Sequence, residues 1–341
     1  MNAKTAQPRT RKAFFVLTLA SLFIFTTCKN EPATTPPTSE PVYAKVNVPL
    51  FQADSAYAYV AAQVAFGPRV PNSEAHEKCK AWLVEQFKKF GAEVTEQKFE
   101  AKAYTGETLQ CTNIIARYNP GAQKRVLLSS HWDSRPFADS PLSTERQNEP
   151  ILGADDGASG VGVLLEIARN LQAHPIEMGV DIVLFDAEDF GNNDPASQDM
   201  FSWCLGAQHW AKNLPGDQVR PKYGILLDMV GAKGARFAQD QISRQYAPQT
   251  LEKVWKLAKM MHKKRFVEAP TTIGIDDHYI VNTIARIPMI DIINKPAGSQ
   301  TGFGAHWHTH QDNMDVIDRD VLGEVGQVVL AVVYRENNGQ M

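Results

Sequence analysis

Four apolar runs recur along this chain: RVLLSS at 125–130, VDIVLF at 180–185, YGILL at 223–227 and IPMIDII at 287–293. Runs of this length that are apolar at consecutive positions read as strands covered on both faces. The stretches between and after them have helix-period apolar residues: GASGVGVLLEIARNLQAH at 157–174, CLGAQHWAKNL at 204–214, QTLEKVWKLAKMMHKK at 249–264 and DVLGEVGQVVLAVVYREN at 320–337. Strands alternating with helices predict an α/β domain, three-layer α/β/α, with a mixed, mostly parallel central sheet. Ahead of this core, AEVTEQKFEAKAY (92–104) alternates like a half-exposed strand and CTNIIARYN (111–119) follows as another. Two helices precede them, FQADSAYAYVAAQVAF (51–66) and SEAHEKCKAWLVEQFKKFG (73–91), the second running from a Ser cap to Gly91.

In such a sheet the site lies at the carboxyl ends of the strands. His131 and Asp133 stand at the first of these ends, Glu188 and Asp189 at the second, and Asp228 at the third. LFDAED (184–189) aims Asp186, Glu188 and Asp189 out of one strand end. Crowded carboxylates raise each other's pKa, so a cation among them or a proton-carrying role is expected. The segments HWD (131–133), GADDGASG (153–160), AED (187–189) and HWHTHQD (306–312) offer His, Asp and Glu without Cys. That donor set suits zinc in a catalytic rather than a structural role. One carboxylate then binds the metal and its neighbour is left as a base. Small residues in the first turns of the 157–174 helix imply that its backbone approaches a neighbour closely.

The order H-x-D, GADDGASG, an acid pair after an apolar strand, LLDM at 226–229 and a late HT at 308–309 resembles the zinc-dependent aminopeptidase family of co-catalytic exopeptidases. The resemblance covers roughly residues 110–315. Within that family, HWDSRPFADS (131–140), LLDMVGA (226–232), DDH (276–278) and WHT (307–309) resemble the glutaminyl cyclases, and DAED together with an export signal is similar to their bacterial periplasmic branch. The resemblance implies conversion of the N-terminal Gln of peptides and proteins to pyroglutamate with release of ammonia. It implies a single zinc ion held by Asp156, Asp189 and His308, with Asp189 standing where most relatives have Glu. It implies Glu188 as general base and acid, Asp276 as partner of the scissile amide nitrogen, and Asp228 hydrogen-bonded to Asp276. Trp307 is the implied pocket wall, with Trp203 and Phe303 as further candidates.

Several alternatives stay open at this level. Asp277 competes with Asp276. His131 and Asp133 fit either a second zinc, as in the two-metal peptidases, or a supporting role. Asp291 fits a shared-proton network or a plain buried acid, and His306 and His310 read as loop residues. A two-zinc aminopeptidase would use nearly the same side chains. A non-catalytic binding protein on the same scaffold would have no use for Glu188.

The first 27 residues contain Lys4, Arg9, Arg11 and Lys12 and no acid, followed by an apolar run from Ala13 to Phe25. This is a signal-peptide pattern, too short for a membrane span. FTTC places Cys28 where a bacterial lipoprotein is lipidated, and the Pro/Thr-rich stretch to residue 41 reads as a tether. Residues 42–341 are expected to form a single catalytic domain, exported to the periplasm, monomeric, and in contact with the membrane only through Cys28. The net charge is −3, and four of the 35 basic residues lie in the signal, so the domain is acidic. Nothing in this balance points to a nucleic-acid partner, which calls for a basic face. Cys79, Cys111 and Cys204 form no CxxC and are expected as buried thiols, although export would permit one disulfide.

Overall fold

The computed structural model describes residues 46–216 and 219–341. The segments 1–27 and 28–41, including Cys28, and the proposed domain start at residue 42 lie outside the described residues. The strands are β1 (Glu93–Lys102), β2 (Thr108–Tyr118), β3 (Arg125–His131), β4 (Gly179–Phe185), β5 (Gly224–Asp228), β6 (Phe237–Asp240), β7 (Phe266–Thr271) and β8 (Met289–Ile293). The helices are α1 (Ala53–Val64), α2 (Glu74–Lys89), α3 (Ala158–Ala173), α4 (Leu205–Lys212), α5 (Gln241–Tyr246), α6 (Pro248–Met260), α7 (Asp277–Ile280) and α8 (Arg319–Asn337).

The main sheet has six strands in the order β1-β2-β4-β3-β5-β8. The pairs β3–β4, β3–β5 and β5–β8 are parallel, and β1–β2 and β2–β4 antiparallel. The four apolar runs are the four parallel strands, and β3, β4, β5 and β8 are buried at every position. Alternate side chains explain why both faces are apolar. Val126, Leu128, Ile182, Leu184, Ile225 and Leu227 join the core built with α1, α2, α3, α6 and α8. Leu127, Val183, Phe185 and Leu226 join a second core with Ala207, Trp210 and Ala211 of α4. Helices therefore cover both faces, as the sequence pattern predicts.

The close approach expected of α3 is made at Gly160, where an added Cβ would lie 2.4 Å from the Leu227 carbonyl oxygen. Only glycine lets α3 sit this tightly on the end of β5. The two-stranded sheet β6–β7 was not expected. Its strands are four and six residues long and the second carries Pro270, so neither gives a readable alternation. Cys79, Cys111 and Cys204 are unpaired and buried, as expected. No described helix is long and apolar enough to cross a membrane.

Candidate active site

β3 ends in His131, β4 runs directly into Asp186–Asp189, and β5 ends in Asp228. Parallel pairing brings these three ends side by side. Asp156 comes from the turn before α3, Asp276 from the N-cap of α7, and His308 from the turn at 304–312. One cavity of about 340 Å³ is lined by Asp156, Glu188, Asp189, Asp228, Asp276 and His308, together with Trp203, Phe303 and Trp307. All nine candidate residues therefore converge on one pocket.

Asp156, Asp189 and His308 offer ligand atoms within 4.8 Å of one another. His308 Nε2 is 3.0 Å from Asp189 Oδ1 and 3.7 Å from Asp156 Oδ2. Ligand atoms around a tetrahedral zinc ion lie about 3.3 Å apart, so this spacing fits such an ion. Asp189 Oδ2 is buried and accepts no hydrogen bond among the described residues, an orphan that a cation would satisfy. His131, Asp156 and Asp228 form a second group of the same kind, sharing Asp156. His131 Nε2 lies 3.1 Å from Asp156 Oδ1 and 3.3 Å from Asp228 Oδ1.

The supporting contacts were mostly invisible in the sequence. Asp133 accepts the backbone N–H groups of Glu188 and Asp189, each at 3.1 Å, and so holds the acid pair as well as facing His131. Asp139 Oδ1 lies 3.0 Å from His308 Nδ1. Arg135 pairs with Asp139 at 2.5 Å and donates to the carbonyls of Asp189 and Gly191, both at 2.8 Å. Its guanidinium also sits 4.7 Å from the Trp203 ring centre. Arg135 and Asp139 lie within HWDSRPFADS, where neither was singled out, and they tie two candidate ligands to a pocket wall. Asp312 accepts the N–H groups of Asp155 and Asp156 at 2.7 and 3.1 Å. Asp186, the first acid of LFDAED, is turned away from the pocket and pairs with His76 Nε2 at 2.9 Å.

Position bears on several of the open alternatives. Asp276 lines the pocket and Asp277 does not. Asp228 Oδ1 lies 3.3 Å from His131 Nε2, and Asp276 is close enough to add to burial in raising the Asp228 pKa. Asp291, Asp276 and His278 bring ligand-type atoms within 4.8 Å of each other, so Asp291 belongs to the acid group behind the pocket. His306 is more than a loop residue: it is buried, with Nε2 2.8 Å from Asp155 Oδ2. His310 remains a loop residue against the Arg146 carbonyl. Trp307 stacks on His308 at 3.8 Å between ring centres, and Phe303 leans on Trp307 at 4.9 Å.

Burial drives the Glu188 carboxyl well above the usual carboxylate range; the nearby His131 ring opposes this, and Asp277, Asp189 and Asp276 add to it. Burial pushes Asp228 up to about 8 and Asp312 up to about 7. His308 and His306 rise to about 9, because their carboxylate partners outweigh the effect of burial. In the metal-free protein all four groups hold protons that the unfolded chain, with Asp near ~3.9 and His near ~6.5, gives up at lower pH. The folded state then binds more protons than the unfolded one, so stability falls as pH rises from about 6 to about 9. We expect the melting midpoint of the chelator-treated protein to decline over that window, measured by calorimetry. A midpoint that climbs with pH would contradict the protonation pattern.

Comparison with known proteins gives a consistent picture. The model of Peptidase family M28 matches residues 113–333. A Zn-dependent exopeptidase from Parabacteroides distasonis is 48% identical, with 84% of this chain and 99% of that chain covered and a TM-score of 0.81. The glutaminyl cyclase of Bacteroides thetaiotaomicron, solved with N-acetylhistamine, is 46% identical over the same shares, with a TM-score of 0.82. The aminopeptidase YwaD of Bacillus subtilis is 28% identical over 258 residues, which is 72% of this chain but only 50% of that protein. This chain thus spans about half the length of that curated relative. The match to residues 113–333 takes in every candidate ligand and pocket acid described above, and the chain belongs to peptidase family M28.

Proposed function

We propose that this chain is a glutaminyl-peptide cyclotransferase, converting the N-terminal Gln of peptides and proteins to pyroglutamate with release of ammonia. One observation carries the reading. A single cavity contains the Asp156–Asp189–His308 group, the Glu188 carboxyl outside that group, the acids Asp276 and Asp228, and three aromatic walls. Such a pocket, aromatic on one side and lined by acids on the other, suits a small polar side chain with methylenes such as glutamine's.

Two carboxylates and an imidazole suit one zinc ion, held by Asp156, Asp189 and His308. When bound, it supplies Lewis-acid polarisation of the substrate's side-chain carbonyl. Glu188 takes a proton from the attacking α-amine and later gives it to the leaving nitrogen. Glu188 lies outside the ligand group, so its carboxyl is left for both halves of that task. The α-nitrogen bonds to the side-chain carbonyl carbon, the bond from that carbon to the amide nitrogen breaks, and ammonia leaves. Asp276, with Asp228 beside it, holds the departing nitrogen. Trp307, Trp203 and Phe303 pack on the glutamine methylenes and keep water out.

The test is to incubate the protein with a Gln-initiated peptide and record the mass spectrum. Loss of one ammonia with chain length intact is the expected result. Release of a free N-terminal residue would instead support a two-zinc aminopeptidase. The second group, His131, Asp156 and Asp228, favours that rival, and a zinc-to-protein ratio near two would establish it.

We further propose that residues 1–27 direct export, that Cys28 is lipidated, and that residues 28–41 tether a monomeric domain, 42–341, in the periplasm. The basic and apolar pattern ahead of FTTC supports this. Cell fractionation with fatty-acid labelling tests it, and unlabelled cytoplasmic protein would overturn it.

A further inference from the structure

Cys204 has no place in the mechanism above, yet it is fully buried with its Sγ 3.2 Å from Oε1 of Glu188. That thiol is the one side-chain hydrogen-bond donor to the Glu188 carboxylate among the described residues. The two residues are also joined through their backbones. Cys204 N–H donates to the Glu188 carbonyl at 3.0 Å, Leu205 to Ala187 at 3.1 Å and Gly206 to Asp186 at 2.9 Å. The N-terminus of α4 is thereby fastened along the segment that carries the acids. Gly206 makes the approach possible, since a Cβ there would lie 2.3 Å from the Asp186 carbonyl oxygen.

Cys204 pays for this placement in backbone conformation. It has φ 57 and ψ 38, the left-handed region, as the N-cap of α4. Ala187, which faces Leu205 in the same ladder, is also left-handed at φ 51. A non-glycine residue in this region is held there against its preference, and such positions cluster at functional sites. Glycine would satisfy the backbone more cheaply. What glycine lacks is the thiol.

We infer that Cys204 is a positioning residue for the proposed reaction: its S–H engages Oε1 of Glu188 and so fixes the rotamer in which the carboxylate meets the substrate's amine. The assignment rests on the cyclotransferase reading of the pocket. A carboxylate that swings between rotamers presents a proton acceptor only part of the time, and small misplacements of a reacting group are costly in rate. A thiol is a weak donor, so it orients the carboxylate with less stabilisation of the charged form than a strong donor would bring. Burial, with Glu188 and Asp277 adding to it, drives the Cys204 thiol well above its usual pKa, so the sulfur keeps its proton to donate.

Three variants separate positioning from packing. Cys204→Ala removes the donor and should lower kcat by about threefold to tenfold, the range for an ordinary hydrogen bond, with KM changed less than about twofold. Cys204→Ser keeps a donor on a shorter arm and should recover part of that loss. Cys204→Gly relieves the left-handed backbone, so it should melt at or above Cys204→Ala and yet turn over as slowly. Zinc content should be the same in all three. A readout independent of turnover is the S–H stretching band in the infrared, assigned by subtracting the Cys204→Ala spectrum. It should be displaced from that of the thiols of Cys79 and Cys111, and Glu188→Gln should move it. An unmoved band, or rates of the Ala and Gly variants equal to the parent, would overturn the assignment. If the parent protein does not cyclise Gln peptides, the cyclotransferase reading fails, while the infrared band still reports on the contact itself.

Discussion

Replacing Glu188 by Gln reduces cyclisation of a Gln-initiated peptide by about 10²- to 10⁴-fold while zinc stays bound, the range ascribed to a general acid–base group. The substitution is nearly isosteric, so the backbone that presents the side chain should persist. Asp133 holds that backbone through the amides of 188 and 189, and the Cys204–Gly206 ladder holds it from the other side. Glu188 lies outside the Asp156–Asp189–His308 group, so the zinc-to-protein ratio should not change. What is lost is a carboxylate that takes a proton at one stage and returns it at another. Steady-state kinetics beside metal analysis check this. Activity within tenfold of the parent protein would remove Glu188 from its role, and loss of zinc would make it a ligand.

His308→Ala should empty the site. His308 is the single imidazole among the three candidate ligands, its Nδ1 held by Asp139 at 3.0 Å and its ring stacked under Trp307. Without it Asp156 and Asp189 confront each other as buried acids with too few donors for a tetrahedral ion. Zinc retained after gel filtration should fall from about one per chain towards none, and the rise in melting midpoint on adding zinc should vanish. Turnover should drop on the order of 10³-fold or more, since a Lewis acid contributes several kcal/mol to the barrier. Asp139→Asn gives a graded version. The carboxylate behind a metal-bound His sets its tautomer and basicity, and losing it typically weakens metal affinity about 10- to 100-fold. Competition with a zinc-binding dye measures both. Unchanged zinc affinity in His308→Ala would move the metal elsewhere, with the His131, Asp156 and Asp228 group as the alternative.

The contrast between Asp189 and Asp186 shows how far the sequence reading reached. Both stand at the end of β4, and the local pattern points three acids toward the same strand end. Local alternation cannot reveal that Asp186 turns inward to His76, which is 110 positions away along the chain. Arg135 and Asp139 were missed for the same reason. They sit in a stretch without periodicity, and their meaning comes from His308, 169 positions later, and from Trp203. Cys204 looked like any buried thiol until its sulfur was seen against Glu188. The contact between Asp228 and His131 was likewise unforeseen; it arises because β3 and β5 are direct neighbours in the sheet.

Strand–helix alternation and continuous apolar strands sufficed to determine the fold class and the placement of acids at strand ends, while the candidate ligand set came from the resemblance of the motif order to a known family. The first two features are local: each depends on a few consecutive side chains and on the rule that backbone hydrogen bonds must be satisfied within buried elements. The tertiary structure alone decided which acid of DDH faces the cavity, which carboxyl orients His308, and which donor engages Glu188. These depend on side chains brought within about 3 Å from segments far apart in the chain, a distance at which hydrogen bonds and ion pairs act and which no local sequence pattern encodes.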